Sequence, residues 1–131
     1  MKILGKSSFG KPIKVRIVGD ADKAYAELVK IVEEETKNGI KSSENQTLLR
    51  GIQNAIDILR DNLHYGIQLP KKQIPHRYIE LYDVRNLWTI ELPLYWRLVY
   101  TVNSTEVEVI NLILDFYDHP RYDKVFHYKK K

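Results

Sequence analysis

Two apolar runs near the end of this sequence frame three side chains that can act together on a phosphodiester. Arg97 lies inside the run 96–102, and His119 and Tyr122 follow the run 107–116 in the string His119-Pro120-Arg121-Tyr122. Cleaving RNA needs the 2′-hydroxyl deprotonated, the phosphorane charge stabilised and the leaving 5′-oxygen protonated. A guanidinium fixed on a strand suits the second task, because it grips phosphate oxygens bidentately and keeps its charge. A histidine can carry the proton near neutral pH. A tyrosine can stack a base or donate a proton. Each of these residues also has a purely structural reading. Arg97 can pair with Glu91 across the intervening turn, and His119 can cap the third strand beside Asp118 and Pro120.

These residues must be held by strands. Residues 87–92, 96–102 and 107–116 are apolar, separated by a Pro-containing turn and by the polar turn Asn103-Ser104-Thr105, which predicts a three-stranded meander. In the middle strand Trp96, Leu98, Tyr100 and Val102 share one face, while Tyr95, Arg97, Val99 and Thr101 share the other. Both alternating sets of the third strand are apolar, as expected of a central strand covered on both sides. The meander is expected to have one face under helices and the other partly polar, with Arg97 and Glu91 on it.

Upstream, Ile13, Val15 and Ile17 alternate with Lys14 and Arg16, the period of a half-buried strand. Tyr25, Leu28, Val29 and Val32 then fall at helical spacing, predicting a helix from Ala21 to about Lys37 that Asp20 caps and Asn38-Gly39 ends. A second stripe runs from Leu48 to Leu63, with Ser42 or Ser43 as its cap. Gly51 inside that stripe implies a close helix–helix or helix–sheet contact. The short polar join predicts an antiparallel helical hairpin. Residues 67–83 hold Pro70 and Pro75, which argue for loop. Lys71, Lys72, His76 and Arg77 make the segment basic and Tyr78 and Tyr82 interleave aromatics, so it can follow a nucleic-acid backbone or be a solvated connection with tyrosines anchored in the core.

The chain has 131 residues, which predicts a single domain over residues 1–131. It has no cysteine, which excludes disulfides and thiolate metal sites, and its four histidines show no metal-ligand spacing, so no metal or other cofactor is expected. There is no membrane-length apolar run, and MKILGKSSFG has no apolar signal core, so a cytoplasmic protein without membrane contact is expected. The net charge is +4. The cations dominate from residue 68 onward, including Lys71, Lys72, Arg77, Arg85, Arg97, Arg121, Lys124 and Lys129 to Lys131. A basic half that coincides with the sheet predicts a polyanion-facing surface.

The pair Leu87-Trp88, the string Trp96-Arg97-Leu98-Val99-Tyr100, a final hydrophobic strand and His119-Pro120-Arg121-Tyr122 together resemble the RelE/ParE superfamily of toxins, and most closely its RelE- and YoeB-like branch. The resemblance covers most of the chain and is strongest over residues 86–128. It implies an α+β fold in the order β-α-α-β-β-β, an antiparallel sheet of about four strands with the two-helix hairpin on one face. It also implies a metal-independent endoribonuclease that cuts mRNA on the ribosome and is neutralised by a cognate antitoxin. By position, Arg97 matches the arginine that stabilises the scissile phosphate. His119 and Tyr122 fall where the family keeps acid–base and stacking residues, and Glu80 lies near the carboxylate base of YoeB-like members. Lys71, Lys72, Arg77 and Arg85 would then contact RNA backbone. The segment after His119 departs from the family by its length and its His–Tyr spacing. Two rivals remain: a ParE-like toxin that poisons DNA gyrase without nuclease residues, and a non-catalytic RNA- or protein-binding module. An exposed apolar strip near the hairpin or sheet edge is expected for the antitoxin.

Overall fold

A computed structural model describes residues 5–6, 12–104 and 109–126. Thr105 and Val107, the terminal residues His127 and Tyr128, and the lysines Lys129 to Lys131 lie outside the described residues, so the expectations that fell on them have no structural counterpart.

Strands β1 (Gly5–Lys6) and β2 (Pro12–Ile17) precede helices α1 (Gly19–Lys37) and α2 (Glu44–Asp61). A short strand β3 (Ile67–Gln68), a 3-10 turn (Lys71–Gln73) and helix α3 (His76–Tyr82) follow. The meander is β4 (Trp88–Glu91), β5 (Arg97–Ser104) and β6 (Val109–Tyr117), and helix α4 (His119–Phe126) comes next. The fold is α+β, and the meander and the helical pair are as expected.

The sheet is larger than expected and mixed. Its six strands run in the order β1-β2-β6-β5-β4-β3. Every neighbouring pair is antiparallel except β2 and β6, which run parallel from Ile13 beside Val109 to Ile17 beside Ile113. An all-antiparallel sheet of four strands is therefore not what forms. The long excursion through α1, α2 and the meander is what allows a parallel pair, which needs a crossover rather than a hairpin. β6 takes the central place that its two apolar faces predict, with β2 on one side and β5 on the other.

Helices α1 and α2 cover one face. Leu28, Leu48, Leu49, Ile52 and Leu59 pack there against Ile90, Leu98, Tyr100, Ile113 and Phe116. Ser43 caps α2 by accepting from the Gln46 N–H at 3.1 Å. Glu35 near the end of α1 accepts from Ser43, Asn45 and Gln46, which ties the two helices at their join. Those bonds, Asn45 first and Ser43 next, hold the Glu35 carboxyl below its ordinary range despite partial desolvation. The cap of α1 differs from expectation. Val18 occupies the cap position without a side-chain bond, and Asp20 lies in the first turn with Asp22, where acids favour the helix dipole. Gly51 makes a close contact, with a turn instead of a second helix or a strand: a Cβ there would collide with Cδ of Pro93, between β4 and β5.

The second face is covered too, which corrects the expectation of a half-polar sheet. Pro70 and Pro75 do not break the segment they lie in; each stands at the N-cap, of the 3-10 turn and of α3 respectively, where a missing N–H costs nothing. Residues 119–126 form a helix whose Tyr122 and Phe126, four apart, face inward. Helices α3 and α4 meet over the sheet, with Tyr78, Tyr122 and Phe126 packed on Leu87, Val99, Leu114 and Tyr117.

A bulge in β6 serves both layers. Val99 pairs with Asp115 but Tyr100 pairs with Ile113, leaving Leu114 unmatched. Leu114 and Asp115 then both face α3 and α4, while Ile113 and Phe116 face α1 and α2. The Asp115 carboxylate accepts from the Tyr78 hydroxyl at 2.8 Å, and the Tyr78 and Tyr117 hydroxyls lie 2.9 Å apart.

Tyr100 closes the loop after α2 by donating to the Leu63 carbonyl at 3.1 Å and accepting from the Gly66 N–H at 3.0 Å. Its burial pushes the phenol up to about 12, so it stays protonated. Tyr100→Phe is expected to cost about 1–3 kcal/mol, the penalty for orphaning enclosed backbone groups; chemical denaturation against wild type measures it.

Candidate functional site

Because β6 runs antiparallel to β5, its end arrives beside the beginning of β5. Tyr117 lies opposite Arg97 in register, and Glu91 of β4 lies opposite Arg97 on the other side. Helix α4 starts one residue beyond Asp118 and brings His119 to the same place. Arg97 and His119 therefore line one cleft of about 620 Å³, with Glu91, Leu92, Leu94, Tyr95 and Trp96 forming the rest of its wall.

Arg97, His119 and Arg121 each face a carboxylate. Arg97 Nη1 donates to Glu91 Oε1 at 2.9 Å. His119 Nε2 lies 3.3 Å from Asp123 Oδ2, one turn along α4. Arg121 Nε donates to Asp118 Oδ1 at 3.1 Å. The structural reading of Arg97 thus describes a contact that exists, whereas His119 opens α4 and lies against Asp123 of that helix instead of capping the third strand. These contacts do not close the site. The Glu91 side chain is 74% exposed, and a pair so open to water is weak enough for an arriving phosphate to displace.

Aromatic rings back the cations. The Arg97 guanidinium stands 5.2 Å over the Tyr122 ring, and that of Arg121 stands 5.3 Å over the Trp96 ring. The Tyr122 ring packs at 4.4 Å on Phe126, which stacks in turn on Tyr78. Tyr122 is 3% exposed. That corrects its stacking role, since a ring held between a guanidinium and Phe126 offers no open face to a base. It fixes the height of Arg97 instead.

Glu80 is not at the cleft. It lies on α3, where its carboxylate takes the His76 Nε2 at 2.7 Å, one helical turn away. The carboxylates near Arg97 and His119 are Glu91, Asp118 and Asp123. Glu91 is the partner that the sequence placed across the turn from Arg97.

The other expected RNA-contacting residues divide into two groups. Lys71, Lys72 and Arg77 are exposed on the turn and helix that lead to Tyr78, and Arg121 and Lys124 are exposed on α4. Tyr78 and Phe126 pack together at 6.1 Å, so these five cations sit on the 3-10 turn, α3 and α4 on one side of the sheet. Arg85 is elsewhere. It lines a separate polar cleft of about 510 Å³ with Asn86, Asn103 and Ser104, at the far end of β5.

Two residues of the cleft wall have an unusual backbone. Leu94 and Tyr95 both have positive φ, 63° and 64°. They are the central pair of the tight turn Pro93–Trp96 between β4 and β5, in which the Trp96 N–H donates to the Pro93 carbonyl at 3.4 Å, and the Leu92 N–H donates to the Trp96 carbonyl at 2.8 Å just outside it. Their place in a turn also corrects the expectation that Tyr95 extends the strand face of Arg97.

A second groove lies on the opposite layer, about 270 Å³ in size, between α1 and α2 and bordered by Leu28, Ile31, Ile52 and Trp96. It lies at the helical hairpin, but Leu28 and Ile52 in its wall are buried and, of its large apolar side chains, only Ile31 is exposed, so it is a groove over the core instead of the exposed strip expected there. Among the described residues, no three His, Asp or Glu side chains gather closely enough to hold a metal ion, and no helix is long and apolar enough to cross a membrane. No family model, no curated protein and no solved structure matches this chain.

Proposed function

We propose that the chain is a RelE-like toxin, an endoribonuclease that cuts mRNA on the ribosome and is held in check by a cognate antitoxin. The observation that carries this reading is the convergence of Arg97 and His119 on one open cleft. A guanidinium there can hold two phosphate oxygens and neutralise the charge that grows on the phosphorane. His119, oriented by Asp123, exchanges a proton with the 2′-hydroxyl or the leaving 5′-oxygen. Glu91 is displaced from Arg97 as phosphate binds, which leaves its carboxylate beside the reacting atoms as the second proton carrier. It takes the part that the resemblance would have given to Glu80. The cations of α3 and α4 extend the positive surface for ribosomal RNA, and the groove between α1 and α2 suits an apolar antitoxin segment. The β-α-α-β-β-β order can be traced through β2, α1, α2, β4, β5 and β6, with β1, β3, α3 and α4 as additions to it.

One observation favours the non-catalytic module. Arg97, His119 and Arg121 are each already matched by a carboxylate, as in a site that only binds. A single assay separates the two. Wild-type protein added to translating ribosomes is expected to create new mRNA 5′ ends, and His119→Ala to remove them while the fold persists. An unchanged set of ends with wild type would sink the nuclease, and DNA breaks dependent on gyrase would replace it with the ParE-like reading.

A further inference from the structure

We infer that Tyr95 is a stacking platform for a nucleobase of single-stranded RNA whose phosphate lies at Arg97. The inference rests on the reading of the cleft as an RNA site and names the residue that grips the base. Tyr95 is 83% exposed, more than any other large apolar side chain among the described residues. It lines the same cleft as Arg97 and His119.

Its backbone makes the exposure meaningful. Tight hairpin turns with two positive-φ residues normally carry Asn-Gly or Asp-Gly, because other side chains are strained there. Here the positions are filled by Leu94 and Tyr95, at φ 63° and 64°. Strain of this kind persists only where the surroundings over-determine it, and it concentrates at functional sites. The bracing is visible. Pro93 is wedged against the bare backbone of Gly51 on α2, and Leu92 is hydrogen-bonded to Trp96 just outside the turn. Folding does not account for the tyrosine, since a ring so exposed buries almost nothing. A glycine would relax the turn at once.

Chemistry points to a base as the occupant. An aromatic face accepts any of the four bases, and a neighbouring guanidinium holds the backbone that carries them. Tyr122 cannot serve, because its ring is enclosed. Tyr95 is the open ring on the cleft wall.

The test is equilibrium binding of a short fluorescein-labelled 2′-O-methyl RNA, which cannot be cleaved, and of the same backbone without bases. Tyr95→Ala is expected to weaken the RNA by about 5- to 100-fold, the range for losing one base–aromatic stack. Tyr95→Phe should bind as wild type does, and the abasic strand should bind wild type and Tyr95→Ala alike. Tyr95→Gly should lose RNA affinity while its melting temperature rises by about 2–5 °C, as relief of backbone strain predicts. Equal RNA binding by wild type and Tyr95→Ala would overturn the platform while leaving the cleft an RNA site. A Tyr95→Phe as weak as Tyr95→Ala would overturn it in favour of the hydroxyl. A wild type that binds no RNA would overturn it together with the reading of the cleft. Cleavage is not scored, so an inactive nuclease that still binds RNA through Tyr95 supports the platform.

Discussion

Arg97→Ala is expected to lower mRNA cleavage by about 10²- to 10³-fold, the loss seen when one preorganised charge-stabilising donor is removed from a transition state. The fall should lie in kcat, because the phosphorane carries more charge than the bound phosphodiester. Arg97→Lys should recover little. An ammonium keeps the charge but not the planar fork, and its point charge cannot lie flat on the Tyr122 ring as the guanidinium does. Stability should fall modestly. The substitution removes one pair with an exposed carboxylate and one cation–π interaction, together about 1–2 kcal/mol. Mapping 5′ ends on translating ribosomes alongside thermal melts separates the two effects. An Arg97→Ala protein that is folded and cleaves at the wild-type rate would remove Arg97 from the mechanism.

The second large effect concerns the second core. Tyr78→Phe is expected to destabilise the protein by about 2–3 kcal/mol at neutral pH, because it takes a donor from a buried carboxylate. Burial holds the Asp115 carboxyl above its ordinary range, and the bonds from Tyr78 and Tyr117 offset only part of that. Burial, reinforced by the Asp115 charge, holds Tyr78 far above the usual tyrosine range, so it remains a donor throughout. A carboxyl whose folded pKa exceeds its unfolded one contributes stability below the unfolded pKa, near 3.9 for aspartate, and loses it as pH rises through the folded value. Asp115→Asn should therefore gain on wild type as pH climbs from about 4 toward 7, and the deficit of Tyr78→Phe should shrink as pH falls. Denaturation midpoints across that range measure both. Parallel profiles for wild type and Asp115→Asn would mean that Asp115 titrates as a solvated carboxylate.

Periodicity made the strands and helices legible, because the stripe Leu48 to Leu63 repeats at helical spacing and the residues around Arg97 alternate as a strand does. It could not report neighbours. Alternation in β2 says which residues point inward, but nothing in Ile13, Val15 and Ile17 says that β6 lies alongside and parallel. The bulge at Leu114 was hidden for a related reason. With both faces of β6 apolar, a shift of phase leaves no mark in the pattern. Pro75 concealed α3, since a proline at a helix start and a proline in a loop look alike until the packing of Tyr78 is known. At the site, Arg97 and His119 were readable because a meander returns the end of its third strand to the start of its second. Glu80 was placed by resemblance alone, and α3 holds it against His76 instead. Tyr95 carried one unread signal, a tight hairpin turn without glycine or asparagine.

The parallel pairing of β2 with β6 also sets an order in time. Synthesis runs from the N-terminus. β2 is made early, yet its place in the sheet exists only once β6 has been made, after both long helices and the rest of the meander. Arg97 emerges before that point, and His119 only after it. A growing chain therefore carries the arginine for a period without the histidine, the α4 helix or a closed sheet. The cleft is complete only once the start of α4 has been made and β6 has taken its place beside β5.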